Sequence, residues 1–275
     1  MVIKWPKKMT GFTLIELIIT MVIISVLAVG SVEFVSLTAI SFVGTLERTN
    51  HSAIASIINE KLTRQIRNAL PNSVRINSDS SCVEFIPILS ASQYLQAPIL
   101  GSENIDTEIH VVSIDSSLPQ LGYVAIYPRK QGSDLFDNSR NPGMISSSQA
   151  TYTSDVGDAS VFNFASGFRF EFESSQKRMF FVSEPNAFCQ IDNSLFWFSN
   201  YGFIGSINNL SANLPNSLPN RKLIANGLVD NSLEFQIDLG SLQRSSIVSI
   251  NYQLNNGGNA EVLQVNREVQ IRNVP

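Results

Sequence analysis

Glu16 is the residue that first demands a chemical explanation. Between Phe12 and Val43 only Glu16 and Glu33 carry formal charge, in a run that begins FTLIELIITMVIISVLAVGSVEFV. A carboxylate so early in an apolar segment is costly unless it lies near an interface or meets a cation, so by default it marks a functional site. Other chemistry-bearing residues are sparse. Cys82 and Cys189 lie downstream, beside strand-like sequence; if that region is outside the cytoplasm, the expected state is one disulfide closing a loop of about a hundred residues. The alternative is two buried free thiols. Two cysteines with two widely spaced histidines, His51 and His110, do not make a structural zinc site. Asp155 and Asp158, within TSDVGDAS, could ligate calcium together with Asp134 and Asp137. Their count and spacing match no calcium loop, and Asp and Gly are ordinary turn residues. The run Phe196, Trp197, Phe198, Tyr201 and Phe203 could be an exposed binding surface, although strand alternation would place half of it in a core. No nucleophile, base and orienting acid stand at spacings that fit a known arrangement, so an enzyme is not expected, nor a metal or cofactor.

Charge narrows the partners. The chain has 275 residues with 19 Lys and Arg against 23 Asp and Glu, a formal charge of -4. Lys4, Lys7 and Lys8 all precede Gly11, so the remainder holds 16 basic against 23 acidic residues. That balance argues against nucleic-acid binding, which needs a basic face. Charged residues are only 15% of the chain, and the apolar excess is concentrated at the N-terminus.

Three readings compete for that N-terminus, MVIKWPKKMTG followed by the apolar run. An ordinary secretory signal has a short apolar core and a small-residue cleavage site after it. Ala28 to Ser31 could mimic such a site, but Phe34, Val35, Leu37, Ile40, Phe42 and Val43 continue the apolar character beyond it. A plain membrane anchor fits the length, since about 20 apolar residues span a bilayer core. It leaves Glu16 unexplained. The third reading rests on Gly11, Phe12, Thr13, Leu14, Ile15 and Glu16, a string that resembles the processing site of type IV prepilins and of the pseudopilins of type II secretion. The resemblance implies that a membrane aspartyl prepilin peptidase cuts between Gly11 and Phe12 and then methylates the new amine of Phe12. Glu16 of one subunit can then pair with the Phe12 amine of a neighbour inside an apolar filament core, so that a charge costly when alone becomes a reason to assemble. Glycine before the cut lets the peptidase approach the backbone closely. The lysines would hold residues 1–11 in the cytoplasm, with the rest beyond the inner membrane.

The elements that position these residues follow. No proline falls between Pro6 and Pro71, and 12–70 is expected to be one long helix, softened at Gly30 and Gly44, with its assembly half at 12–43 in the membrane. Ile54, Ile58, Leu62, Ile66 and Leu70 make an apolar stripe that should lie on a globular domain. Residues 71–275 read as strands: CVEFIPI, EIHVVSI, GYVAIY, FRFEFE, RMFFVS, SLFWFS, SLEFQIDL, SIVSINYQL and EVLQVNREVQI. Gln131 to Asp158 reads as a surface excursion, and Ser211 to Asn220 as a loop between two halves of the sheet region. The expected class is α+β: a type IV pilin fold, with the helix on a mostly antiparallel sheet.

RQIRNALPNSVRI (Arg64 to Ile76), CVEFIPI and the ending EVQIRNVP further resemble the MshO-like minor pilins of the mannose-sensitive haemagglutinin (MSHA) pilus. That likeness implies a subunit that initiates assembly with other minor pilins, an assembly platform and a major pilin, and that caps the fibre. Two other roles stay open: a J-like minor pseudopilin of type II secretion, or a tip adhesin that binds a surface or glycan.

Overall fold

In a computed structural model of the chain, the described residues are 11–101, 107–114, 119, 121–129, 133–154, 159–238, 246–255 and 262–271. One helix, α1 (Leu14–Arg67), runs for 54 residues and passes unbroken through Gly30 and Gly44. It stops before Pro71 because tertiary bonds take over its last residues. The Leu70 amide donates to the Ile86 carbonyl at 2.8 Å, and the Asn68 side-chain amide donates to the Ile88 carbonyl at 2.6 Å.

Residues up to Asn50 form one compact unit and those from His51 onward a second. In the first, every described residue is exposed except half-buried Gly44. In the second, α1 buries His51, Ala55, Ile58, Leu62 and Ile66, at the three- and four-residue spacings of a single helix face. Ile54 is only half-buried, and the face is completed by Ala55 and His51.

After α1 come β1 (Arg75–Ile76), β2 (Cys82–Phe85), β3 (Ile88–Gln96), β4 (Glu108–Val112), β5 (Leu121–Ile126), the short α2 (Ser133–Phe136), β6 (Ala150–Ser154), β7 (Ala159–Phe164), β8 (Arg178–Val182), β9 (Asn186–Ile191), β10 (Ser194–Phe198), α3 (Leu210–Asn213), β11 (Arg221–Asn226), β12 (Glu234–Asp238), β13 (Ser246–Leu254) and β14 (Leu263–Ile271). The fold is α+β, a long apolar N-terminal helix followed by antiparallel β-structure, which is a type IV pilin-like layout. The strands form a five-stranded sheet in the order β1-β2-β9-β10-β11, a three-stranded sheet β12-β13-β14, and a closed barrel β3-β4-β7-β6-β5-β8. Helix α1 packs on the first two. Its buried face joins Val83, Phe85 and Phe188 of one sheet with Phe235, Val248, Ile250, Tyr252 and Val269 of the other in a single core. The Tyr252 hydroxyl, buried under α1, donates to the Ala55 carbonyl at 3.2 Å.

The barrel has its own core, rich in aromatic residues: Tyr94, Tyr152, Phe162, Phe164, Phe168, Phe170 and Phe181. Two expectations fail here. FRFEFE is not a strand; Phe170 makes only single bridges, to Ile99 and to Gly143, and with Phe168 it fills the barrel core. The stretch expected as a surface excursion, Gln131 to Asp158, is not one over 133–154, since Leu135, Phe136, Met144 and Ile145 are buried and β6 is a barrel strand; 131–132 and Asp155 to Asp158 lie outside the described residues. Scattered apolar residues among turn residues anchored it. Ser211 to Asn220 likewise joins β10 to its direct neighbour β11 and does not separate two sheets.

At Gly122 in β5 an added Cβ would stand 2.6 Å from two ring carbons of Phe181 and 2.9 Å from the Val182 carbonyl oxygen. Phe181 is fully buried, so the ring has little room to yield. Gly122→Ala should therefore destabilise the protein by about 1–3 kcal/mol in urea unfolding of the detergent-solubilised chain. Gly30→Ala, with nothing within 4 Å of the new carbon, should cost nothing in the same assay; equal losses would contradict the packing account.

Candidate functional site

The N-terminal segment is built around a pair of residues three apart. Thr13 and Glu16 form a capping box at the start of α1. The Glu16 amide donates to Thr13 Oγ1 at 3.4 Å, while Glu16 Oε2 accepts from the Thr13 amide at 3.0 Å and from its hydroxyl at 3.1 Å. The first helical bond runs from the Leu17 amide to the Thr13 carbonyl at 3.2 Å. Sequence reading had taken Glu16 for its charge alone; the signal it missed was Thr-x-x-Glu ahead of an apolar run. The box holds the carboxylate beside Phe12, at the helix end whose dipole favours an anion. Among the described residues only Oε2 is occupied, and nothing donates to Oε1.

Beyond the box, the segment suits an apolar surrounding. Its backbone is satisfied within the helix, and the hydroxyls of Thr20, Ser25, Ser31 and Thr38 donate to carbonyls three or four residues earlier at 2.7–2.9 Å. Leu14–Arg67 is long and apolar enough to cross a membrane. Gly11 sits in open space: a Cβ there would meet nothing within 4 Å.

Residues 6–32 match the family model described as the prokaryotic N-terminal methylation motif. No curated protein and no solved structure matches the chain. At its N-terminus the chain is type IV pilin-like. The motif implies processing by a prepilin peptidase, membrane anchoring through the apolar helix, and a type IV pilin or pseudopilin-like role.

The β-region of this pilin-like chain holds the remaining candidates. Cys82 and Cys189 are disulfide-bonded, 107 residues apart in sequence and directly opposite each other on β2 and β9. On the chain-entropy account a loop of that size stabilises by roughly 4–5 kcal/mol. Of the acidic residues, Asp134 binds Arg140 at 2.9 Å and Asp137 accepts from the Ser139 amide and hydroxyl. Asp155 and Asp158 lie outside the described residues, among which no three carboxylate, histidine or cysteine groups converge as metal ligands. His51 is buried in α1, and His110 stands 3.5 Å from Glu108 on β4. The aromatic run is packed: Trp197 lies against the α1 core, Phe196, Phe198 and Tyr201 against the core around the disulfide, and Phe203 edge-on to Tyr123 at 4.9 Å.

A buried ion pair between β1 and β2 is a feature the sequence reading missed. Arg75 and Glu84 sit opposite each other in the strand register, with Arg75 Nε 2.5 Å from Glu84 Oε2, and both are buried. The Tyr201 hydroxyl donates to Glu84 Oε1 at 2.9 Å, and the Arg75 guanidinium also donates to the carbonyls of Ile204 and Gly205. Together they fasten the segment after β10 to the start of the sheet. Burial raises the Glu84 carboxyl above its usual range despite the lowering effect of Arg75, and burial first, then Glu84, pushes the Tyr201 phenol well up. A carboxyl whose pKa is raised by folding contributes stability that is full below its unfolded value and is lost as pH rises through its folded value. Glu84→Ala, which strands the Arg75 charge, should cost about 3–5 kcal/mol at neutral pH. The wild type's advantage over Glu84→Gln should shrink as pH rises from below the usual carboxylate range, measured by urea unfolding. An advantage that grows with pH would reverse the assignment.

Proposed function

We propose that this chain is a minor pilin, MshO-like in type, that helps to initiate assembly of a pilus filament and caps it. The observation that carries the reading is the half-satisfied carboxylate of Glu16, held at the first turn of an exposed apolar helix directly after Gly11 and Phe12. In this account residues 1–11 are a leader that prepilin peptidase removes and Phe12 becomes the methylated N-terminus. Residues 12–70 are the helix, with 12–43 as its membrane and assembly half, and residues 71–275 are the extracytoplasmic domain. The free Oε1 of Glu16 receives the Phe12 amine of a neighbouring subunit. Gly11 supports the same reading from another side. Among the described residues nothing packs against Gly11, which leaves its backbone open to the close approach a peptidase needs.

The protein resides first in the inner membrane with its N-terminus in the cytoplasm, and afterwards in a surface filament with other minor pilins and the major pilin, delivered through the assembly platform. The likeness of Arg64 to Ile76 and of the C-terminal EVQIRNVP to MshO-like subunits favours the pilus over a secretion pseudopilus. Deleting the gene should abolish surface pili while leaving major pilin in the membrane; normal piliation would refute the role.

Two substitutions separate the chemistry. Gly11→Val should leave a precursor heavier by the leader, read by intact mass, and unchanged cleavage would remove the assigned site. Glu16→Gln keeps a side chain able to complete the capping box but removes the charge, whereas Glu16→Val removes both. If pairing with an amine drives assembly, both variants should lower fibre yield at least about tenfold, the equivalent of ~1.4 kcal/mol. Wild-type yield from Glu16→Gln alone would show that Glu16 acts only as a cap.

A further inference from the structure

The chain's last described strand, β14, is an open sheet edge among the described residues. It pairs with β13 over nine consecutive residues without a bulge, from Ser246↔Ile271 to Leu254↔Leu263, and no described strand covers its other side. It contains no proline and no lysine, and its charged residues are the adjacent Arg267 and Glu268. The other sheet ends differ. β1 has two residues, β12 lies beside β1 and β2, the β10–β11 pairing is broken by a register shift, and the barrel has no edge.

A groove of about 1270 Å³ runs along α1 from Ser52 past its end to Asn68, and β14 borders it at Arg267. Arg64 and Arg67 line it from the helix and Arg267 from the strand. Arg267 is anomalous. It belongs to the strand row of Leu263, Val265, Val269 and Ile271, the apolar residues that face the α1 core, yet it is exposed. Among the described residues none of the three guanidinium groups makes an ion pair or hydrogen bond, and the Thr63 hydroxyl in the same groove is buried without a partner. Among the described residues Glu60 is the one carboxylate on the lining. Three unpaired cations therefore meet an open row of backbone donors and acceptors, in a chain whose overall charge is negative.

We propose that this groove receives an extended acidic segment of another protein, which adds to β14 as a further antiparallel strand while its carboxylates pair with Arg267, Arg64 and Arg67. Backbone bonds supply the affinity, and the arginines select the charge of the guest. A second copy of this chain is the poorer occupant. Arg267 stands at the middle of β14, so symmetric antiparallel pairing of two copies would set the two Arg267 side chains opposite each other, and like charges there repel. The inference rests on the groove alone and is independent of how the N-terminus is processed.

The test uses the full chain in detergent micelles and a fluorescein-labelled synthetic heptapeptide of alternating valine with aspartate or glutamate. Fluorescence anisotropy should show binding that weakens by at least about tenfold for Arg267→Glu, for the double variant Arg64→Gln with Arg67→Gln, and for the same peptide N-methylated at alternate residues. The helix double variant does not touch the sheet, so it carries the test if Arg267→Glu fails to fold. Equal binding of a peptide with lysine in place of its acids would overturn the charge selection, and equal binding of the N-methylated peptide would overturn strand addition. Dextran sulfate bound where the peptide is not would overturn the proposal in favour of an anionic polysaccharide. Dimers in sedimentation that Arg267→Glu dissolves would overturn it in favour of self-pairing.

Discussion

A carboxylate at the entrance of an apolar helix is the constraint around which the N-terminal segment is arranged. On insertion scales an acidic residue at the centre of a membrane helix costs about 2.5–3.5 kcal/mol, an upper bound for Glu16 in the first turn. The capping box recovers roughly 1 kcal/mol, and the dipole at the first turn about 0.3–1 kcal/mol more. These local devices lower the cost of Glu16, and they employ only Oε2. A cation from outside the chain has an oxygen to bind, since no described donor reaches Oε1. Glu33 lacks even the cap, since it lies in mid-helix with no described partner. The two carboxylates of the apolar run thus stand in different chemical positions, and only Glu16 is held beside the residue that the prepilin motif would make an N-terminus.

The helix was legible because its evidence is local: a proline-free run, a 3.6-residue stripe and a proline after the end. What sequence could not supply was the competition at that end, where the Leu70 amide finds the Ile86 carbonyl across the fold. Strands were legible where alternation was clean, as in β13, whose burial alternates at every residue. FRFEFE alternates just as well and is no strand, because Phe168 and Phe170 are needed inside the barrel and find no strand partner there. Barrel closure depends on the pairing of β3 with β8 and of β5 with β8, contacts between distant segments that no local pattern encodes. The stretch around α2 was misjudged for a related reason. Averaged composition hides Leu135, Phe136, Met144 and Ile145 among serine, asparagine and glycine, and those four residues decide where the segment lies. At the candidate site, Gly11, Phe12 and Glu16 stand out by their types and spacing, whereas the partnership of Thr13 with Glu16 is hidden by attention to the carboxylate's charge.

The β-region is tied at points that sequence marks only as oddities. Glu84 lies in a strand that is buried at all four residues, a place where a charge is unfavourable without its partner. Arg75 supplies that partner from the adjacent strand, and Tyr201 takes the second carboxylate oxygen. One strand away the disulfide joins β2 to β9. The covalent bridge and the ion pair therefore act on the same strand, β2, from its two sides, one toward β9 and one toward β1. A hydrophobic pair of similar size in place of Arg75 and Glu84 would hold β1 and β2 together as well or better, but it would place no donor near the carbonyls of Ile204 and Gly205. What the polar pair adds is direction: it fixes where the chain after β10 must lie, and that segment leads through α3 to the edge strand β11. Stability and placement are divided between the two links, the disulfide limiting the unfolded chain and the ion pair selecting one arrangement of the folded one.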